Sequence, residues 1–511
     1  MATATYFIEC DFSANGVFTD VGEDLTSRVL EIRSMSYGRD YASQLRGRST
    51  AGSLEIVLNN ASGDYNSFNT ASPLTGLILP NRKVRVRTTA PVAKTLWTGF
   101  LDSIQPIPSL SGLDVAILRA SGRLAQIGAH DVSLAVATNV LTGTAINNIL
   151  TEIGLAAADY LLDTGQTTIV RHWTDRKNVL TALREIEESE GGFIVEVVDG
   201  KVAFEDRFHR LKSPHTISQA TFSDAAGAAR TYSAIQQENP LKEIFNVLEC
   251  VIERFTVGTL AALWTLSESG VNSPSIAVGQ SLVFWASYPN PDSATNAKMV
   301  DAWTTPVVTT DFLVNSAADG SGTNISASIA VAVSKFDTAM KITLTNNHAS
   351  LNGFVTLLQA RGTPVTADDP VMVKSEDATS QTRYGKRTYR NPGRFVPTTT
   401  EGQNWADTQI AIYKDPIPVL SITVQGSKDN THLTEVLTRE VSERITLRAN
   451  NTGANGTNLG INEDFFIERI THRVSASRIH TTTYELSPAS AFGGFFILDT
   501  SLLDSVDRLS Y

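Results

Sequence analysis

Cysteine is almost missing from this chain. Only Cys10 and Cys250 occur, too few for a disulfide framework or a thiolate zinc site, and they read as core thiols or as unpaired residues. Basic charge is short as well. Lys and Arg total 42 against 53 Asp and Glu, a net charge of −11, which argues against a general nucleic-acid binder. Long apolar runs are lacking. Clusters such as Phe492 with Phe495–Leu498 fall far below the roughly 18 residues of a membrane helix, so membrane insertion is not expected. The N-terminus has no basic region, and Glu9 and Asp11 interrupt it, so it does not read as a signal peptide.

Catalytic signatures are also missing. The sequence holds no HExxH, no GxSxG, no Walker A loop and no GxGxxG. The eight histidines are scattered, and His472 and His480, flanking one connector, read as ordinary strand-end residues. No catalytic residue, no cofactor and no metal ligand is expected.

What remains is a chain of 511 residues, long enough for several domains, with 42% hydrophobic residues, 34 Gly and 18 Pro. That balance suits a turn-rich β protein with buried cores. Residues 1–125 read as a first β domain. Ser53–Leu58 and Lys83–Arg87 alternate apolar and polar, and Trp97–Ile104 is followed by an antiparallel partner over Asp114–Ala120. Residues 126–212 read as a small α+β unit. Thr144 is placed to cap a helix carrying Ile146, Ile149, Leu150 and Ile153, and Thr174 or Asp175 to start a second one that ends at Gly191-Gly192. Asp199-Gly200 then marks a hairpin.

From Phe255 to Thr366 charged residues thin out and Ser, Thr, Asn, Ala and Val dominate. Short β-rich runs between turn clusters make 256–370 an inserted β-sandwich. Residues 213–255 together with 371–490 read as a second β domain, and 491–511 as a C-terminal tail. Within this region Thr400…Gln403 suggests a capping box ahead of a short helix with Trp405 and Tyr413. Residues 97–120 and 465–488 share a strand, polar connector, strand pattern, a weak internal repeat that two related barrels or two unrelated hairpins would equally give.

Three features invite a functional reading. Arg383-Tyr384-Gly-Lys386-Arg387 opens a basic, tyrosine-containing stretch that reads better as an inter-subunit or inter-domain segment than as a nucleic-acid site. Asp319–Asn324 resembles part of a calcium loop but lacks the remaining carboxylates, so it is a plain turn. Glu185, Glu187, Glu188 and Glu190 could be paired hydrolytic acids, yet a solvated helix face is the simpler reading.

The stretch from Leu58 to Val86 carries Asn60, Gly63, Tyr65, Asn69, Ser72-Pro73, Gly76 and then alternating Val and Arg. It resembles a pattern in the minor tail or tail-tip hub proteins of long-tailed bacteriophages. Trp97-Thr-Gly99-Phe, the Arg171–Arg207 segment, Arg383–Arg387 and Thr483–Leu486 follow in a similar order. The resemblance implies a mainly β, multidomain fold with a small α+β part, two hub-type barrels and the inserted sandwich. It also implies a homotrimer at the distal end of a tail, assembled in the host bacterial cytoplasm and carried in the virion. Such a hub closes the tail tube, anchors tail-tip or fibre proteins, and lets DNA pass through its lumen without specific binding during genome ejection. Two other readings stay open: a carbohydrate- or receptor-binding adhesin using Trp264, Trp285 or Trp303, and a cell-wall-degrading enzyme.

Overall fold

The computed structural model describes residues 1–39, 48–110, 112–238, 241–266, 272–288, 297–453 and 456–491. The expected C-terminal tail lies, beyond its first residue, outside them. Strand outweighs helix, 45% to 17%, as the composition implies.

The first strand group comprises β1 (Thr5–Cys10), β2 (Val29–Gly38), β3 (Ser53–Asn59), β4 (Lys83–Ala90), β5 (Lys94–Ile107) and β6 (Val115–Ser121), in the order β1-β4-β5-β6-β3-β2. Alternation drives it: Val84 and Val86 face a buried core with Leu54, Ile56, Leu58 and Leu118, while Arg85 and Arg87 point outward to Glu9. β1 also bonds back to the segment entering β2, through Cys10 N–Glu23 O at 2.9 Å and Leu25 N–Ile8 O at 2.8 Å. The group thus curls toward closure.

The α+β unit follows. It contains α1 (Arg123–Ile127), β7 (Asp131–Leu141), α2 (Thr142–Glu152), β8 (Tyr160–Leu162), β9 (Thr168–Asn178), α3 (Val179–Glu190), β10 (Phe193–Glu196) and β11 (Val202–Glu205). Two boundaries differ from the sequence reading. α2 begins at Thr142 rather than at a Thr144 cap, and its first N–H groups, of Thr142 and Gly143, donate to the Thr167 and Thr164 carbonyls at 3.2 and 3.0 Å. Residues 174–178 extend β9, and α3 is capped by Asn178, whose side chain accepts from Leu180 and Thr181. The glutamates of α3 are not one solvated face either. Glu190 accepts from Thr167 N and Arg207, and Glu187 from Arg184 and Ile194 N.

The second group contains β12 (Ala220–Ser223) and β13 (Ala234–Glu238). Next come β14 (Val247–Ile252), β15 (Phe255–Val257), β16 (Ala261–Thr265), β17 (Ser275–Ile276), β18 (Ser281–Ser287), β19 (Ala297–Trp303), β20 (Phe312–Asn315), β21 (Ile329–Lys335), β22 (Ala339–Asn346), β23 (Gly353–Ala367) and β24 (Val371–Glu376). β15, β16, β17, β19 and β20 all pair with the long β23, and β18-β22-β21 form a second sheet. Ile276, Val314, Ile342, Leu344 and Leu358 fill the core of this sequence segment. β14 pairs antiparallel with β24, so the departing and returning strands are ladder neighbours.

The chain then runs through α4 (Ala378–Tyr384), β25 (Thr388–Asn391), α5 (Thr399–Tyr413), β26 (Val419–Gln425), α6 (Asn430–Thr438), β27 (Arg444–Ala449), β28 (Ile461–Val474) and β29 (His480–Pro488). The cap of α5 is Thr398, accepting from Glu401 N at 3.1 Å, two residues before the expected box. α6 is a helix the sequence reading did not anticipate. β28, β29, β26, β13, β27 and β12 join the first group in one twelve-stranded sheet.

Candidate functional site

The seam between the two strand groups is made by β28. On one edge it runs beside β29 along most of its length. On the other edge its first half, Ile461–Phe466, pairs with β27, and its second half, Arg469–Val474, pairs with β2. The changeover falls at a β-bulge between Ile467 and Arg469. Glu468 is the residue at that bulge.

Glu468 is fully buried, a position a carboxylate holds only with partners. Arg210, arriving from the end of the α+β unit, grips both its oxygens at 2.6 and 2.9 Å. Arg39, at the end of β2, lies 3.4 Å away and donates its backbone N–H to the Glu468 carbonyl at 2.7 Å. Ser487 donates to Glu468 at 2.5 Å from β29. Phe193 stacks against both guanidiniums, with Arg39 3.4 Å and Arg210 5.1 Å from its ring centroid. Burial pushes the Glu468 carboxyl up, but Arg210 and Arg39 outweigh it and hold the pKa down to about 2. Arg39 holds its proton less firmly than usual because burial dominates; Arg210 holds its own more firmly because Glu468 outweighs burial. Both guanidiniums remain charged. One knot therefore ties three sequence regions: both strand groups and the α+β unit.

The first strand group carries the same arrangement. β5 and β28 each have 14 residues. β5 is bulged against β6 between Leu101 and Ser103, as β28 is against β29. The bulge residue is again acidic, Asp102, and Ser121 donates to it at 2.5 Å just as Ser487 does to Glu468. The orders β4-β5-β6-β3-β2 and β27-β28-β29-β26-β13 match strand for strand. The internal repeat is structural, and its two hairpins are the ones the sequence suggested. The difference is in environment: Asp102 is exposed, and Ser103–Ile107 pairs with β6 on one edge and with no ladder strand among the described residues on the other.

The sequence-selected residues lie elsewhere. Asn60, Gly63, Asn69, Pro73 and Gly76 sit in a loop of consecutive turns between β3 and β4. Asn60 accepts from Tyr65 N at 3.1 Å, and Asn69 donates to the Gly63 carbonyl at 3.1 Å. Gly63 and Gly76 take positive φ. Pro73 is exposed beside buried Leu74, which with Tyr65 pins the loop into the core. Phe68 stands out from it, 91% exposed. Arg383, Tyr384, Lys386 and Arg387 close α4 and lead into β25. Arg387 is anchored by its backbone N–H to Asn246 at 2.8 Å, while Arg383 and Lys386 are exposed.

His472 and His480 are not ordinary strand-end residues. Both are buried and lie 3.1 Å apart, and Tyr6 contacts His480 at 2.8 Å. Burial holds His480 down to about 3. Both thiols are buried, and burial pushes Cys250 up to about 11. Among the described residues no group of three or more His, Cys, Asp or Glu is placed to hold a metal, and no helix is long and apolar enough to cross a membrane. Glu468, Arg210 and Arg39 were missed by the sequence reading. The available signal was a carboxylate inside the apolar run Phe465-Phe-Ile-Glu-Arg-Ile470.

Two strand groups in one sheet, an α+β unit between them in sequence and a further β-rich segment define the fold class. It is shared end to end with the tail protein of Neisseria meningitidis MC58, over 96% of this chain and 98% of that one, with a TM-score of 0.52 at 11% identity. The 43 kDa tail protein of prophage MuSo2 from Shewanella oneidensis aligns over 96% and 99%, with a TM-score of 0.47 at 10% identity. No protein-family model and no curated protein matches the chain. At 11% identity the likeness to the Neisseria tail protein is one of fold.

Proposed function

We propose that this chain is a structural hub of a phage tail, built to join copies of itself into a ring. The observation that carries the reading is the repeated bulged hairpin. Inside the chain, the second half of β28 is covered by β2. By the strand correspondence, the second half of β5 is covered by β13 of the next copy. β13 is an exposed strand that, among the described residues, pairs only with β26, and an unpaired edge is a template for another chain. Asp102 would then become buried at the junction as Glu468 is.

The contact is head to tail, and such contacts close into a ring when the rotation fits. Three chains with two strand groups each supply six similar positions, a match for a six-fold tail tube. In this reading the strand groups 1–125 and 213–255 with 371–490 form the ring, 126–212 braces it, and 256–370 projects outward. The 60–82 loop with Phe68, and the 383–387 segment, contact neighbouring tail proteins. The part is non-enzymatic, sits at the tail tip of the virion, anchors tip or fibre proteins, and opens for genome ejection. Light scattering and electron microscopy test it. A ring-shaped trimer is expected; a monomer at every concentration, alone or with tail-tube protein, overturns it.

A further inference from the structure

A second feature lies apart from the residues of the proposed ring contact. Between the α+β unit and the β21–β22 turn lies a cavity of about 390 Å³, within the size range of small-ligand sites. His172, from β9, lines it. His172 is 1% exposed, yet neither ring nitrogen has a hydrogen-bond partner among the described residues. Such groups are nearly always satisfied in folded proteins, so an orphaned imidazole on a cavity wall points to something that enters. Burial, reinforced by Arg394 and Lys177, holds His172 down to about 4, so the ring is neutral and offers one donor and one acceptor.

The rest of the wall narrows the ligand class. Asn147, Asn148 and Thr151 line the cavity from α2. The Asn147 carbonyl is taken by the Tyr160 hydroxyl at 2.7 Å, which leaves its amide protons to donate. Glu152 and Lys335 both reach the cavity and carry opposite charges, so a charged ligand meets no net counter-charge. Phe336 completes the wall, and Trp285 stacks on it at 5.9 Å while remaining 54% exposed. Amides, hydroxyls and a neutral imidazole beside an aromatic pair suit a molecule whose groups both donate and accept and whose ring has an apolar face.

We infer that this cavity binds a neutral saccharide unit, with His172, Asn148 and Thr151 hydrogen-bonded to its hydroxyls and Phe336 against its ring. Of the three tryptophans open to an adhesin role, Trp303 is buried and bonded to the Phe336 carbonyl at 2.8 Å; only Trp285 is strongly exposed, and it lies beside this site.

The test is titration calorimetry of the full chain with glucose, galactose and N-acetylglucosamine, and with glucose 1-phosphate as the charged comparison. At least one neutral sugar is expected to bind saturably, with a Kd on the order of 1 mM or tighter, insensitive to salt. Asn148→Ala, at a half-exposed helix position, should weaken binding about tenfold, the worth of one good hydrogen bond, without lowering the melting temperature. His172→Gln, which keeps a donor and an acceptor, should weaken it less than His172→Phe. The proposal is overturned if no neutral sugar binds, if only the phosphorylated sugar binds and salt removes it, or if Asn148→Ala and His172→Phe both bind as the parent does.

Discussion

Gly38 and Glu468 approach so closely that a Cβ on Gly38 would lie 2.3 Å from the Glu468 carbonyl oxygen, and Gly38 has φ +118°. Backbone rather than a flexible side chain blocks the space. Gly38→Ala is therefore expected to lower the melting temperature sharply or prevent soluble expression. Gly76→Ala is the comparison: its φ is +74° with nothing within 4 Å, so it carries only the conformational cost of about 1–2 kcal/mol. Equal losses in thermal melts would contradict the close approach.

Removing the charge of Glu468 leaves two guanidiniums buried. Glu468→Gln is expected to cost about 3–5 kcal/mol in denaturant unfolding at neutral pH. The folded pKa is depressed, so the parent's stabilisation is present above the unfolded value and is lost as pH falls from about 4.5 towards 2. The variant should show no such loss attributable to this residue. A parent and variant with parallel acid profiles would remove the knot from the account.

Asp337 has the opposite sign. Burial first, and Asp175 second, push its pKa up to about 7 from an ordinary 3.8. The folded state holds the proton more tightly, so this group's contribution is full below about pH 4 and is lost as pH rises to 7. Asp337→Asn should raise the melting temperature at pH 8 and change it little at pH 4. No gain at pH 8 would show that Asp337 is not held in its protonated form.

The β13 edge is exposed at Ala234, Gln236, Gln237 and Glu238. Lysines at Gln236 and Gln237 should leave the fold intact, as judged by melting, yet abolish ring formation, because charged edges refuse a further strand. Asp102→Ala should weaken the ring while leaving the monomer's stability within about 0.5 kcal/mol, as for most exposed substitutions. Rings that persist in the lysine variant would assign the contact to another surface.

Much of the fold was legible because alternation and turn chemistry are local. Lys83–Arg87, Phe193–Glu205 and the Trp97 and Phe465 hairpins are strands where their patterns put them. The misplacements arise from long-range partners. Thr142, not Thr144, sits at the head of α2, where the carbonyls of Thr164 and Thr167, some twenty residues on, take the first N–H groups. His472 and His480 looked polar-flanked, but both are buried, and Tyr6, from the first strand, contacts His480. The seam was illegible for the same reason. Arg39, Arg210 and Glu468 are separated by most of the chain, and it takes both the sheet and the α+β unit to bring them together.

The β14–β24 ladder has a consequence for how such chains diversify. Ile252 stands opposite Val371, and Phe255 opposite Ala367, so everything between hangs from two stems a single strand spacing apart. A two-residue reverse turn could close those stems with no rearrangement beneath them. Recombination can thus exchange the hanging segment wholesale while the β14–β24 ladder below it keeps its geometry.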